Sequence, residues 1–221
     1  MRNFKILLLL LASAIILSLF FYFQNIITYK DKIYKQLYEI TSRMQMQYDF
    51  YAFNFELNSK MNGLTASDVL YMETKNDKKD RYLSDLVCKK PLLIYRYADV
   101  NCNTCYEAEI KVLQQEFSDY PQLIAILCSY KIDQEFIVFK KINQIQLPLY
   151  RISSDAFNWT VEDYGNPYYF VLHPDMKISH VYVPNKSYPE LNKQYLEGVK
   201  RFLSRFVEKR NQGIIKREKR L

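Results

Sequence analysis

Two of the four cysteines in this 221-residue chain, Cys102 and Cys105, are separated by only two residues. Residues three apart in a first helical turn lie on one side of the helix, so two sulfurs at this spacing can approach bonding distance. Free N–H groups and the helix dipole at that end stabilise a thiolate, the attacking species in thiol–disulfide exchange. We therefore predict that Cys102 attacks and that Cys105, one turn further in, is the more buried, resolving thiol.

Two other interpretations of the pair stay open. It is either a buried structural pair without turnover or part of a zinc site, although the sequence has no second ligand pair at zinc spacing. His173 and His180 are predicted to be a turn residue and a strand residue rather than ligands, so no metal is expected. With only four glycines the chain has no Gly-rich phosphate loop, and no cofactor is expected. Cys128 is predicted to be a small buried hydrophobe and Cys88 to be structural.

The elements around the pair predict how it is positioned. An apolar strand, Leu92–Ala98, leads into the cysteines, and an amphipathic helix, Asn103–Phe117, follows them. Further strands and helices alternate before a hairpin and a last helix, which predicts an α/β domain with a central mixed sheet covered on both faces. The remaining predicted elements are strands Asp68–Glu73, Gln122–Cys128 and Leu147–Ile152, helix Asp133–Ile142, hairpin strands Tyr168–Leu172 and Ile178–Val183, and helix Pro189–Val207.

Two segments resemble the thioredoxin superfamily. Residues 91–105, PLLIYRYADVNCNTC, look like its first core strand and active site, and residues 164–178, YGNPYYFVLHPDMKI, look like its cis-proline segment and following hairpin. An anchor followed by such a domain is similar to the TlpA/ResA-type membrane-anchored thiol–disulfide oxidoreductases. The resemblance covers about Leu64 to Val207. It implies a thioredoxin-like fold, a cis Pro167 facing the cysteines, and Asn166 backbone groups available to an extended substrate.

Three departures from that family concern partner choice and redox potential. Asn101 stands where the family usually has an aromatic residue, and Asn103-Thr104 stands where it often has a proline. Arg96 stands six residues before the first cysteine, where many thioredoxins carry a buried carboxylate. Arg96 is either paired with an acid such as Asp99 or Glu109, or its charge stabilises the thiolate and tunes the pKa of the pair.

The N-terminal segment predicts a membrane anchor. Residues Ile6 to Tyr29 carry no charge and, as a helix, are long enough to cross a bilayer. A cleaved signal peptide is the competing interpretation, with Ala12-Ser13-Ala14 as a loose cleavage site. Because the apolar run continues to Phe23, we favour an uncleaved, single-pass signal anchor. Basic residues are more numerous after the span than before it, but large domains cross largely regardless of charge, so we expect the C-terminal domain outside.

The predicted organisation has four parts: an anchor (1–29), a juxtamembrane helical stalk (30–63), a thioredoxin-like domain (64–208) and a basic tail (209–221). Apolar stalk residues recur at heptad-like spacing, which makes a homodimer through the stalk possible but leaves it unproven. Nine Lys or Arg and two Glu between 200 and 221 account for the net charge of +7. This stretch is either a solvated helix end or a site attracted to anionic lipid, and nucleic acid is not expected as a partner.

The sequence thus favours a thiol–disulfide oxidoreductase acting on extracytoplasmic protein thiols and disulfides. It would lie in the inner (cytoplasmic) membrane with its domain in the periplasm or the equivalent outer space. The main alternative is a non-catalytic thioredoxin-like binding module with a vestigial pair. A peroxiredoxin-like peroxidase is a third hypothesis, weakened because Ala98-Asp-Val-Asn lacks the Thr/Pro-rich lead-in typical of peroxidatic sites.

Overall fold

A computed structural model describes residues 2–72, 81–98 and 103–218, with side chains described at Ile6 and within 10–72, 81–98 and 106–206. By contacts between Cα atoms the chain forms two units, Met1–Tyr51 and Ala52–Leu221. The second unit therefore begins before Leu64, where the sequence placed the start of the domain. The sequence also predicts a polar turn over Asn76–Asp80, which lies outside the described residues.

The N-terminal unit is part of one long helix, α1, which runs from Arg2 to Met61. The predicted limit between anchor and stalk falls inside this continuous helix. The aromatic-rich stretch 48–57, whose sequence does not distinguish helix from strand, is also part of α1. The apolar side chains of the first half are exposed, as at Leu11, Ile16 and Phe20. Among the described residues this is the one helix long and apolar enough to cross a membrane.

A five-stranded mixed sheet organises the second unit, in the order β5-β4-β3-β6-β7. Strands β3, β4 and β5 are parallel, while β6 runs antiparallel to both β3 and β7. A separate two-stranded sheet pairs β1 with β2. The strands are β1 (Leu70–Tyr71), β2 (Arg81–Tyr82), β3 (Leu92–Ala98), β4 (Ile124–Ser129), β5 (Leu149–Arg151), β6 (Tyr168–Leu172) and β7 (Ile178–Tyr182).

Helices cover both faces of this sheet. The remaining helices are α2 (Leu83–Val87), α3 (Asn103–Glu116), α4 (Asp133–Ile142), α5 (Thr160–Asp163) and α6 (Pro189–Glu218). The face that carries Tyr97 and Tyr169 packs against α3, α4 and α6: Tyr97 stacks on Tyr106 at 4.4 Å and lies 6.0 Å from Phe139, and Tyr169 lies 5.5 Å from Tyr195. The opposite face packs against the end of α1, α2 and the segment around Phe157.

The last turns of α1 are built into the second unit. Leu57 and Met61 are buried in the core of the second face. Asn54 Oδ1 accepts a hydrogen bond from Val183 N at 2.7 Å, and Asn58 Oδ1 accepts one from Val181 N at 2.9 Å. These side chains satisfy backbone donors at an edge strand, which would otherwise be open to pairing with another chain.

The predicted fold class is confirmed: a central mixed sheet flanked by helices follows a long apolar helix. Strands β3 and β6 both have the predicted bounds. The main differences lie at the ends. Within the described part of the predicted strand 68–73, residues 68–72, only Leu70–Tyr71 form β1, and α6 continues past Val207 to Glu218. The short helices α2 and α5 were not predicted.

Candidate active site

The Cys-x-x-Cys segment lies where the central strand passes into a helix. Strand β3 ends at Ala98 and helix α3 begins at Asn103, so the two cysteine positions bracket the first residues of the helix. Cys102 lies outside the described residues, and the described backbone is helical at Cys105. The start of a helix supplies free N–H groups and the positive end of the dipole. The predicted local context of the pair is therefore present.

Helix α3 turns one stripe of side chains toward the sheet. The buried members are Tyr106, Ile110, Leu113 and Phe117, spaced three or four residues apart. Glu109 belongs to the same side, because its Oε1 accepts a hydrogen bond from Tyr169 Oη at 2.5 Å. Burial raises the pKa of the Glu109 carboxyl, and the hydrogen bond from Tyr169 partly opposes that rise. A half-buried carboxyl thus lies four residues after Cys105 on the cysteine helix.

Arg96 is completely buried on the opposite face of the sheet. Its Nε donates to Glu162 Oε1 at 3.1 Å, and its Nη1 donates to the Tyr97 carbonyl oxygen at 2.7 Å. Among the described residues, Nη2 has no hydrogen-bond partner. The ion pair that the sequence predicted for Arg96 exists, but its partner is Glu162. Glu109 binds Tyr169 instead, and Asp99 lies outside the described residues.

Glu162 joins three elements. Besides Arg96 on β3, its Oε1 accepts a hydrogen bond from Tyr168 Oη, the first residue of β6, at 2.7 Å. Helix α5, which carries Glu162, is therefore tied to the carboxyl end of β3 and the start of β6. No sequence pattern pointed to Glu162, because it lies 66 residues from Arg96.

Asn166 and Pro167 lie at the same edge of the sheet as the end of β3. Pro167 is buried and Asn166 is exposed, and the next residue, Tyr168, pairs with Arg96 across β3 and β6. The expectation of a cis Pro167 is wrong: the described residues contain no cis peptide bond. The trans form of a proline peptide bond is favoured by about 0.5–1 kcal/mol, so cis requires a tertiary context that imposes it.

A cleft of about 690 Å³ lies at the carboxyl ends of the parallel strands. Its walls include Ala98, the last described residue before the cysteines, and Gly165, just before Asn166-Pro167. Arg96 and Glu162 also line it. The sequence does not predict this cleft, because the walls come from segments far apart in the chain.

The other cysteines are in different environments. Cys128 is completely buried, and its Sγ donates to the Tyr150 carbonyl oxygen at 3.3 Å. The prediction of a small buried side chain is therefore confirmed, and burial raises the pKa of this thiol to about 12. Cys88 is exposed and free. The described residues contain no group of three or more His, Cys, Asp or Glu side chains that could hold a metal ion.

Comparison with known proteins gives structural similarities only. No protein-family description and no curated protein matches the sequence. Among solved structures, a thiol:disulfide interchange protein from Bacteroides sp. is 14% identical with a TM-score of 0.48, covering 65% of this chain and 90% of its own. The thioredoxin domain of a thiol-disulfide oxidoreductase from Bacteroides vulgatus is 14% identical, with a TM-score of 0.45 and coverage of 63% and 98%. A mitochondrial 2-cys peroxiredoxin from Plasmodium falciparum is 12% identical, with a TM-score of 0.42 and coverage of 63% and 93%.

Proposed function

We propose that this chain is a membrane-anchored thiol–disulfide oxidoreductase that exchanges disulfides with extracytoplasmic proteins through Cys102 and Cys105. One observation carries the proposal: the Cys-x-x-Cys segment joins the carboxyl end of the central strand β3 to the first residues of helix α3. That position offers the helix N-terminus to a thiolate and places the pair at the edge of the sheet that also carries Asn166-Pro167.

The exchange takes place in two balanced steps. The Cys102 thiolate attacks one sulfur of a substrate disulfide, forming a mixed disulfide and releasing the other substrate sulfur as a thiolate. The Cys105 thiolate then attacks Cys102, forming the Cys102–Cys105 disulfide and releasing the reduced substrate. Two electrons pass from the pair to the substrate, and the reverse sequence oxidises a substrate dithiol. Which direction operates depends on the potential of the pair relative to its partners.

The geometry of α3 supports a resolving role for Cys105. Residues four apart on a helix are neighbours on one face, so we expect positions 105 and 109 of α3 to share a face, and Glu109 contacts Tyr169 of the sheet. A thiol at that position would be shielded from solvent, whereas position 102 precedes the helix. Asn166 and Pro167, at the same edge of the sheet, would hold the substrate chain beside the pair.

Arg96 is proposed to tune the pair. A cation near the thiolate stabilises the reduced form and makes the pair a stronger oxidant. Because Glu162 offsets much of this charge, we expect a small effect. Arg96→Met should make the potential more negative by roughly 20 mV, given that 30 mV corresponds to about 1.4 kcal/mol for this couple. Arg151→Met is the control, since Arg151 also lines the cleft but pairs with Asp133.

Membrane attachment is proposed from α1. Its first half exposes apolar side chains along a length sufficient for a bilayer, which is costly in water and favourable in lipid. We propose that this segment stays uncleaved, spans the inner membrane once and places the domain on the periplasmic or extracytoplasmic side. Mass spectrometry of the membrane form should recover the peptide from Met1 to Phe23. Protease added to intact spheroplasts should degrade the domain, and a protected domain would reverse the orientation.

A homodimer through the stalk is proposed as the arrangement in the membrane. Ile33, Leu37, Ile40 and Met44 are exposed along α1 at spacings of three and four residues, the pattern of a coiled-coil seam. Two parallel copies anchored in one membrane would bury these side chains against each other. Cysteine introduced at Ile40 should cross-link between copies in the membrane, whereas cysteine at Glu39 should not.

The test of the proposed activity is the order in which the thiols react. The full-length protein in detergent micelles, reduced and carrying Cys88→Ser, should be alkylated at Cys102 before Cys105 at mildly acidic pH, because a stabilised thiolate persists there. Cys128 should not react until the protein unfolds. If Cys102 and Cys105 both react slowly and only on unfolding, the enzymatic proposal fails and the non-catalytic binding module replaces it.

A further inference from the structure

We propose that the cleft beside the cysteine connection binds an uncharged stretch of polypeptide chain, with a backbone carbonyl oxygen accepting a hydrogen bond from Arg96 Nη2. This binding role deepens the proposed function, on which it rests, because it names the part of the protein substrate that the molecule holds during exchange. Three features of the described residues lead to it: an unmatched buried donor, the balance of charge in the walls, and the mixed polarity of the surface.

The unmatched donor is the first feature. Arg96 lines the cleft and is completely buried, and two of its three nitrogens are bound to Glu162 and to the Tyr97 carbonyl oxygen. Nη2 has no partner among the described residues. Leaving a buried donor unsatisfied costs about 1–3 kcal/mol, and more for a charged group. A ligand that brings an acceptor to this nitrogen recovers that free energy.

The charge balance selects a neutral acceptor. The described walls contain three basic residues, Arg96, Lys131 and Arg151, and three acidic residues, Asp155, Glu162 and Asp163. The positive charge of Arg96 is already opposed by Glu162 at 3.1 Å. An anionic ligand at Nη2 would lie beside the Glu162 carboxylate, which already shares the Arg96 charge, and would leave walls of balanced charge with an excess negative charge, which is expensive to bury. A peptide carbonyl supplies the acceptor without that penalty.

The remaining surface fits a polypeptide backbone. Asn158 and Ser154 offer exposed donors at the rim, and Asp155 and Asp163 offer acceptors for backbone N–H groups. Phe157 and Ile152 provide apolar contact between them. The volume of about 690 Å³ lies within the usual range of about 300–1,000 Å³ for ligand clefts. Since Ala98 and Gly165 border the cleft, a chain bound there would pass next to the segment that carries Cys102 and joins β3 to α3.

The single tryptophan provides a direct signal for occupancy. Trp159 stacks on Phe157 with ring centroids 4.3 Å apart, and Phe157 lines the cleft. The chain contains no other tryptophan, so its fluorescence reports on this region alone. The experiment uses the full chain in detergent micelles with Cys102→Ser and Cys105→Ser, so that binding is measured without any redox step.

The probes are three twelve-residue peptides with blocked termini and no Cys or Trp: one uncharged, one with four Glu and one with four Lys. Inorganic phosphate is the fourth probe. We expect the uncharged peptide to change Trp159 fluorescence saturably and to bind at least threefold more tightly than either charged peptide. Tighter binding of the acidic peptide or of phosphate would overturn the proposal in favour of an anion site. No fluorescence change with any probe would also overturn it.

Two variants then test the contacts. Arg96→Lys keeps a cation beside Glu162 but removes Nη2, and should weaken binding of the uncharged peptide about two- to tenfold, the equivalent of one hydrogen bond. If it does not fold, Asn158→Ala at the exposed rim should weaken binding to a similar extent, with the equally exposed Asn62→Ala as control. Unchanged affinity in the folded variants would overturn the proposal. Redox cycling of wild-type protein with no peptide binding would refute the cleft alone, whereas peptide binding without cycling would refute only the enzymatic function.

Discussion

Tyr168 and Tyr169 are neighbours on β6 whose side chains lie on opposite faces of the sheet, and each donates a hydrogen bond to a glutamate. Tyr168 donates to Glu162 Oε1 at 2.7 Å, and the same oxygen accepts from Arg96 Nε at 3.1 Å. Tyr169 donates to Glu109 Oε1 at 2.5 Å, and no basic side chain among the described residues pairs with that carboxyl. One carboxylate is therefore compensated by a buried cation and the other is not.

The difference separates a structural role from a titrating one. On the α1 face, the Arg96–Glu162 pair ties α5 to two strands of the sheet, and the charges offset each other. On the α3 face, burial raises the pKa of Glu109, so this carboxyl keeps its proton to a higher pH than an exposed glutamate does. The uncompensated group lies on the cysteine helix. The sheet thus has an ion pair on one face and, on the other, a carboxyl whose pKa is raised by burial.

The largest expected effect on stability comes from breaking the Arg96–Glu162 ion pair. Arg96→Met leaves Glu162 without its cation, and removing one partner of a buried ion pair costs about 3–5 kcal/mol. Because the Glu162 side chain is 24% exposed, we expect the lower end, about 3 kcal/mol. Arg151→Met is the matched control, since its pair with Asp133 is more exposed and should cost about 1 kcal/mol or less. Urea unfolding followed by Trp159 fluorescence measures both, and equal losses would contradict the assignment.

Removing the hydroxyl group of Tyr168 or of Tyr169 compares the two faces of the sheet directly. Tyr168→Phe takes a donor from a carboxylate that also pairs with Arg96 and should cost about 2 kcal/mol of unfolding free energy. Tyr169→Phe takes a donor from a carboxyl whose pKa is raised by burial and should cost about 1 kcal/mol. Both variants are measured at the same mildly acidic pH. A larger loss for Tyr169→Phe would mean that Glu109 carries a full charge in the folded state.

The smallest effect is a change in pH dependence. The folded protein holds the Glu109 proton above the ordinary pKa of 4.5, whereas the unfolded chain releases it there. Stability from this group is therefore complete below pH 4.5 and is lost as the pH rises through the folded pKa. Glu109→Gln cannot titrate, so the variant should gain stability relative to wild type as the pH increases. A constant difference between the two across pH 4 to 8 would show that the pKa of Glu109 is not raised.

The sequence predicted the elements whose signals are local. Strand β3, the start of α3 and the strands of the β6–β7 hairpin follow from apolar runs and turn residues, and the buried Cys128 follows from its place in an apolar strand. The extent of α1 was harder to predict, because the aromatic stretch 48–57 shows no clear helical periodicity in the sequence. The end of α1 is stabilised by tertiary packing, since Leu57 and Met61 are buried against the sheet.

The features that the sequence could not predict involve contacts between residues far apart in the chain. The partner of Arg96 is 66 residues away on a four-residue helix, so nothing near Arg96 in the chain identifies Glu162. The same holds for the cleft, whose walls come from the ends of four strands, from the loop after β5 and from α5. The cis isomer of Pro167 came from a family resemblance alone, and the structure has the trans isomer that the peptide bond itself prefers.

A redox titration of the full-length protein in detergent micelles tests the central claim most directly. The protein is equilibrated in buffers of stepped thiol–disulfide ratio, its free thiols are alkylated, and the product is mapped by mass spectrometry. The account predicts one two-electron transition in which Cys102 and Cys105 join as a disulfide while Cys88 and Cys128 stay reduced. A chain in which Cys102 and Cys105 never form a disulfide with each other, or in which Cys88 replaces one of them, would contradict it.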